Sequence, residues 1–252
     1  MRFTSTVGII LAFCGSAAAL TPENPPPSSA LTSNFLKPRQ VEGGDPLANL
    51  KLPDGYKVEV FAKDLVNPRI LAVSDNGTVY VTRRSIGDVV MLKADADGKA
   101  QAPVVVASRD KMHGIAIKGS QMWLATVADV YVADIKADGT LSELQRIIND
   151  LPDAGQHPNR TMSFGPDGML YISVGSTCNS CTESRPESAT ILQASPDGKQ
   201  RRIFAKGLRN TIGFDWHPGT SELYGWDQSY DLIDDETPKE EFNKIEDGKY
   251  YG

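Results

Sequence analysis

From about residue 52 onward, short apolar runs with polar interruptions are separated by Gly, Asn, Asp and Pro, the pattern of strands joined by tight turns. The clearest unit is 162–174, where strands over 162–164 and 169–174 flank the turn Pro166-Asp-Gly168. The same layout recurs roughly every 45 to 50 residues, the length of a four-stranded propeller blade. Asn67-Pro-Arg69 precedes the hairpin over 70–82, and Met112-His113 precedes that over 114–125. Asn159-Arg160 precedes the hairpin over 162–174, and Arg209-Asn210 precedes a strand in Gly207-Leu-Arg-Asn-Thr-Ile-Gly-Phe-Asp-Trp-His-Pro-Gly219. The first three repeats continue with a second strand pair, 89–92 with 104–106, 130–135 with 144–148, and 191–194 with 202–204. Asp97-Gly98, Asp138-Gly139 and Asp197-Gly198 lie between these strands and read as type I′ or related hairpin turns. Asp95-Ala-Asp97-Gly98 is no EF-hand loop, because the terminal bidentate glutamate is missing. The expectation is an all-β propeller with about four blades over 51–252.

Composition agrees with a globular β protein: 252 residues with 40% apolar content and 22 glycines are enough for a sizeable core. The formal net charge of −6 argues against nucleic acid or an anionic membrane as partner. Residues 1–19 carry Arg2, an apolar run over 7–13 and Ser16-Ala-Ala-Ala19, the layout of a secretory signal peptide too short to span a bilayer. Residues 20–50, Pro- and Ser-rich around Pro25-Pro-Pro27, read as a lead-in. The chain is therefore expected in the periplasm or outside the cell. Export leaves Cys178 and Cys181, in Cys-Asn-Ser-Cys, as a local disulfide pinning a loop; a thioredoxin-like redox pair is the alternative, without βαβ context. Thr182 excludes haem attachment, and a zinc site lacks its second ligand pair. Asn76-Gly-Thr78 and Asn159-Arg-Thr161 fit the glycosylation sequon.

In a propeller, residues just ahead of the innermost strand of each blade converge on one rim. Arg69, His113, His157 or Arg160, and Arg209 with Asn210 hold that place in the four repeats. Three arginines and two histidines around one opening suit a small polyanion, which planar guanidinium binds better than ammonium does. A plainer reading stays open: Arg69 and Arg160 capping strand ends or pairing with Asp, His113 in the core, and His217 as a turn residue.

The His157-to-Gly175 stretch and the Gly207-to-Gly219 stretch, with Asp227-Gln-Ser-Tyr230 and Gly248-Lys-Tyr-Tyr-Gly252, resemble the glucose/sorbosone dehydrogenase family, the sorbosone branch more closely. Those are soluble quinoproteins that oxidise sugars with pyrroloquinoline quinone and calcium on a six-bladed propeller. The resemblance implies that His157 is the catalytic base, that Arg209 and Asn210 contact the quinone carbonyls, and that Arg209 stabilises the negative charge developing on the quinone oxygen; Arg69, His113 and Arg160, which the repeat brings to the same rim, are the further candidate cofactor contacts. It implies backbone carbonyls of Ser229 and Tyr230 as calcium ligands, the oxygen donors a hard cation takes. The implied reaction is proton removal from a sugar hydroxyl by His157 with hydride transfer to the quinone, an external electron acceptor completing the cycle. Where the glucose-oxidising branch orients its histidine with an Asp after the strand, this chain has Ser176. Because the family pattern continues beyond Tyr251-Gly252, the expectation is a C-terminally truncated, incomplete ring with two uncovered apolar faces and a complementary chain as one possible partner. A lactonase-like metal-dependent hydrolase and a non-enzymatic binding module are the competing readings.

Overall fold

The computed structural model describes Leu47, residues 50–153, 155–231 and 240–252. The expected signal peptide and nearly all of the expected lead-in lie outside these residues. The chain divides into Met1–Val58 and Glu59–Gly252. In the first unit, residues 50–58 are exposed and form no strand. The second unit holds fifteen strands and, among the described residues, no helix.

The strands form four antiparallel sheets, each built in chain order, as consecutive short hairpins dictate. Blade 1 comprises β1 (Pro68–Val73), β2 (Val79–Arg83), β3 (Asp88–Leu92) and β4 (Val104–Ser108). Blade 2 comprises β5 (Gly114–Lys118), β6 (Gln121–Ala125), β7 (Val130–Asp134) and β8 (Gln145–Ile148). Blade 3 comprises β9 (Met162–Phe164), β10 (Leu170–Val174), β11 (Thr190–Ala194) and β12 (Arg201–Lys206). Blade 4 comprises β13 (Thr211–Trp216), β14 (Leu223–Asp227) and β15 (Glu241–Ile245). Leading strands of neighbouring blades lie against one another, β1 by β5 and β5 by β9, with β10 meeting β13. This is the arrangement of a β-propeller, with β1, β5, β9 and β13 on the inside.

Period-2 alternation decides which blade each side chain serves. On β6, Met122 and Leu124 join the cluster shared with blade 1, with Tyr80, Val89 and Ile115, while Trp123 and Ala125 join Leu170, Ile172 and Val174 of blade 3. On β10 the neighbour at the odd position, Tyr171, turns instead to Leu208, Leu223 and Ile245 on the blade 4 side. Polar tips cross the same gaps: the Tyr80 hydroxyl donates to Gly139 O at 2.8 Å and Trp123 Nε1 donates to Pro196 O at 2.9 Å. Each fastens an aromatic ring to the outer turn of the next blade, so ring area and a satisfied donor come together.

The Asp-Gly turns take the related form rather than type I′. Gly98, Gly139 and Gly198 have φ of 74°, 84° and 72°, whereas the Asp before each stays at negative φ. Type I′ needs both central residues at positive φ. In the first, Gly98 N–H donates to Asp95 O at 3.1 Å and Asp95 N–H donates to Lys99 O at 2.7 Å, a type I turn closed by a left-handed glycine.

At the two ends of the blade series the alternation leaves apolar groups in solvent. Leu71 and Val73 of β1 are 63% and 53% exposed, and Trp226 and Phe242 of blade 4 are 48% and 66% exposed.

Candidate active site

The residues ahead of the inner strands meet in two linked groups. The first centres on His113, which is 4% exposed. Its Nδ1 lies 2.9 Å from Arg160 O, and since a carbonyl only accepts, Nδ1 carries the proton and Nε2 the lone pair. Burial holds the His113 pKa at about 4, against the ordinary 6.5; Arg69, Arg84 and Arg160 push the same way, and the bond to Arg160 O opposes them. A neutral imidazole is thus held among three guanidinium groups.

Those guanidiniums differ in use. Arg160 is wholly buried, and its guanidinium donates to three backbone carbonyls, Asn159 O at 3.0 Å, His157 O at 3.3 Å and Pro152 O. Burial lowers its pKa to about 10. Arg160 therefore ties together the backbone at Pro152, His157 and Asn159, with its guanidinium out of contact with solvent. Its only group without a hydrogen-bond partner is the buried Nε. Arg69 is exposed, and Arg84, which the repeat pattern did not single out, has a buried Nε without a partner. Neither makes an ion pair among the described residues.

The second group is built around the end of β10. Gly175 lets the 157 loop lie directly on this strand end: a Cβ there would fall 2.5 Å from His157 Cβ and 2.8 Å from His157 O. His157 is half-buried, and its Nδ1 lies 2.8 Å from Ser176 Oγ and 3.1 Å from Ser176 O. The Ser176 hydroxyl donates its single proton to Cys178 O at 2.7 Å, so toward the imidazole it accepts. Nδ1 of His157 is therefore the N–H, and Nε2 is left as a free base. Burial, then the Arg209 charge, pull its pKa below the ordinary value, while the Ser176 carbonyl, Asp231 and Glu183 pull the other way. The serine does by hydrogen bonding alone part of what a carboxylate would do with charge: it selects the tautomer without raising basicity as an anion would.

Arg209 is tied on several sides. Its Nε donates to Asn179 O at 2.7 Å, Nη1 to Gln228 O at 3.0 Å, and Nη2 to Asn179 Oδ1 at 2.8 Å and Asp231 Oδ2 at 3.4 Å. One Nη1 hydrogen remains. Asp227, a buried carboxylate whose pKa burial pushes up, fixes the backbone beneath it by accepting from the N–H groups of Arg209 and Asn210, both at 2.9 Å, and from the Thr211 hydroxyl at 2.8 Å. Asn210 Nδ2 donates to Gln228 Oε1 at 2.7 Å. Ser176 N–H donates to Arg209 O at 2.7 Å, which joins the histidine's support to the arginine's own backbone.

Ser229 and Tyr230 follow on the same segment, both half-buried. Ser229 N–H donates to Glu240 Oε2 at 3.0 Å, and no N–H among the described residues donates to either of their carbonyls. Cys178 and Cys181 are joined in a disulfide with Cα atoms 6.1 Å apart. With Glu183 they form a group whose ligand-type atoms lie within 4.8 Å, but paired sulfurs are not thiolates and offer a metal little. A cleft of about 540 Å³ is lined by Ser176, Asn179, Lys206, Arg209 and Tyr230 among others. His217 is exposed, its Nδ1 accepting from the Gly219 and Thr220 N–H groups at 3.2 Å each, as a turn residue does.

Of the expected site residues, the structure thus groups Arg69, His113 and Arg160 in one set, and His157, Arg209 and Asn210 in the other. Asp227, Gln228 and Asn179 were not singled out for the site from sequence. Asp227 and Gln228 lie in the motif quoted for its calcium segment, and Asn179 lies inside Cys-Asn-Ser-Cys, where only its neighbours draw notice.

Comparison with known proteins adds a family and several likenesses. The model of the family described as TrAA12-like matches residues 50–248. An uncharacterized protein of Borreliella burgdorferi is 26% identical over 215 residues, 80% of this chain and 55% of that protein. The holo pyranose dehydrogenase PQQ domain from Coprinopsis cinerea superposes with a TM-score of 0.68 at 18% identity, over 78% of this chain and 55% of that one. A calcium structure of the family AA12 carbohydrate-active enzyme of Trichoderma reesei gives 0.69 at 20% identity, over 78% and 56%. At such identities the likeness is one of fold, and the chain spans a little over half the length of these relatives.

Proposed function

Given that this chain belongs to the TrAA12-like family, we propose that it carries part or all of the catalytic machinery of a quinone- and calcium-dependent sugar dehydrogenase. Its substrate would be a sugar or sugar aldehyde, as in the sorbosone branch. The observation that supports this most is the His157 tautomer. A neutral imidazole with Nδ1–H bound to Ser176 and Nε2 free is ready to take a proton from a hydroxyl at neutral pH.

The donor set fits the cofactor. Arg69 and Arg84, which have no ion-pair partner among the described residues, lie around a His113 kept neutral and make a positive region suited to a planar polycarboxylate. Together with the remaining Nη1 hydrogen of Arg209 and the Asn210 side chain, they would hold pyrroloquinoline quinone, with His113 and Arg160 shaping the wall behind. The Ser229 and Tyr230 carbonyls would hold calcium, with Asp231 and Glu240 close by in sequence or contact. When bound, the quinone supplies the acceptor for two electrons and a hydrogen, and calcium supplies Lewis acidity. His157 removes the hydroxyl proton at Nε2, Ser176 keeps the ring from turning, and the Arg209 cation favours negative charge developing near it, an effect of about 3 kcal/mol for one well-placed donor. Reoxidation falls to an external acceptor. We further propose that the protein is exported through residues 1–19, and that the apolar faces of blades 1 and 4 receive additional sheet, from the same polypeptide or from a complementary chain.

The test is reconstitution. Pyrroloquinoline quinone and calcium added to the purified protein should shift the cofactor's absorbance and support sugar-dependent dye reduction, with His157→Ala lowering kcat by about 100-fold or more. Absence of quinone binding, in this chain and in its full-length counterparts, would overturn the assignment.

A further inference from the structure

We propose that the disulfide-closed loop 178–181 is the positioning element of this site, and that Asn179 is the residue that holds the Arg209 guanidinium in place. The inference rests on the role given above to His157 and Arg209, and adds what sets their orientation.

Three observations converge on this loop. Asn179 grips Arg209 at two points, with its backbone O on Nε at 2.7 Å and its Oδ1 on Nη2 at 2.8 Å. The same amide ties down the segment after Tyr230, Oδ1 accepting from Asp231 N–H at 2.9 Å and Nδ2 donating to Asp231 O at 2.8 Å. Next to it, Cys178 O takes the Ser176 hydroxyl proton at 2.7 Å, which leaves Ser176 Oγ an acceptor for His157 Nδ1 at 2.8 Å. One loop therefore sets both the imidazole tautomer and the guanidinium direction.

A half-exposed tetrapeptide in the connection between β10 and β11 would not hold two functional groups without anchors. Here there are two. The Cys178–Cys181 bond closes the loop on itself, and Glu183 accepts from Thr177 N–H at 2.7 Å and from the Thr177 hydroxyl at 2.8 Å, fixing its base. A bidentate grip on a planar guanidinium restricts it far more than a single bond. Asn179 does not touch the reacting atoms; it acts through Arg209.

Asn179→Ala removes Oδ1 and Nδ2 while leaving the backbone acceptor. The charged groups facing His157 are Arg209, Asp231 and Glu183. Without Oδ1 and Nδ2, both Arg209, which depresses the His157 pKa, and Asp231, which raises it, lose a tie, and the field at the imidazole changes. The His157 titration, followed by NMR in the protein without quinone, should shift by about half a unit or more. With quinone and calcium added, kcat should fall by about tenfold while KM changes little, since orientation rather than sugar binding is lost. Reduction of the wild-type disulfide by a phosphine should also shift the His157 titration, and serves if the alanine variant folds poorly. A His157 titration left unchanged by both perturbations overturns the proposal. Because that titration needs no cofactor, it decides the matter even if the wild-type protein proves unable to bind the quinone, an outcome that would instead defeat the functional assignment.

Discussion

His113 and His157 hold the same ring atom in the same role, Nδ1–H donating to oxygen, yet their surroundings give them different work. His157 faces acidic groups as well as Arg209 and stays half-buried, so its lone pair remains available for chemistry. His113 is enclosed, with the charges of Arg69, Arg84 and Arg160 near it, and its pKa falls to about 4. A histidine that resists protonation in the folded chain but not in the unfolded one makes stability depend on pH. Above about 6.5 both states are neutral and His113 contributes nothing to the slope. Between about 6.5 and 4 the unfolded chain binds the proton and the folded one does not, so stability falls as pH falls; below 4 the loss is complete. The span corresponds to about 3 kcal/mol. Urea unfolding at steps across this window should show that loss in the wild type and a flatter profile in His113→Gln, after the contribution of other groups common to both is subtracted.

At the level of the element, β10 is the strand on which the candidate site is hung. All five of its residues are buried because it faces blade 2 on one side and blade 4 on the other, and it runs out into Gly175 and Ser176 without a turn. A methyl group at Gly175 would press against His157 Cβ and O and reach Asn210 Oδ1 at 3.2 Å. Gly175→Ala should therefore displace the imidazole, with kcat reduced by about tenfold or more and thermal unfolding lowered by only a few degrees; a variant with unchanged kcat would show that the loop yields without consequence. The hairpins of blades 1 to 3 were legible because alternation and Asp-Gly or Pro-Asp-Gly turns agree at each step, and the observed strand ends differ from the expected ones by a residue or two. Blade 4 was less so: the His217-Pro-Gly219 turn announces the hairpin of β13 and β14, but β14 contains Gly225 and β15 pairs across a long connection with no short turn ahead of it. The repeat also located the positions ahead of each inner strand. It did not show what each side chain would meet there. Arg160 occupies the same register as the others but finds Pro152, His157 and Asn159 carbonyls presented by its own loop, a path fixed by tertiary packing. Asn179 was hidden for the same reason, since its partners Arg209 and Asp231 are 30 and 52 residues away.

For the molecule as a whole, the decisive feature is that each blade has two faces and the end blades have one neighbour apiece among the described residues. β1 turns Ile70 and Ala72 to blade 2 and Leu71 and Val73 to solvent. Blade 4 turns Leu223 and Ile245 to blade 3, while Tyr224, Trp226 and Phe242 lie together on the opposite side, the Tyr224 and Phe242 rings stacked at 5.5 Å. That face lines a shallow depression of about 510 Å³ with Phe214 and Trp216. Interior propeller faces of this kind are covered in blades 2 and 3, and an apolar area of several hundred Å² left in water drives association. This chain should therefore self-associate in a concentration-dependent way when purified alone, as sedimentation velocity would register. Trp226→Lys with Phe242→Lys should shift the distribution toward monomer while leaving the far-ultraviolet spectrum unchanged, because both side chains point away from the core they share a strand with. Leu71→Lys should act similarly at the other end, and combining the two ends should exceed either alone, since their sites are independent. If the wild-type chain were instead monomeric at high concentration and unfolded in one cooperative step, these faces would be tolerated by water, and the proposal that further sheet covers them would lose its physical basis.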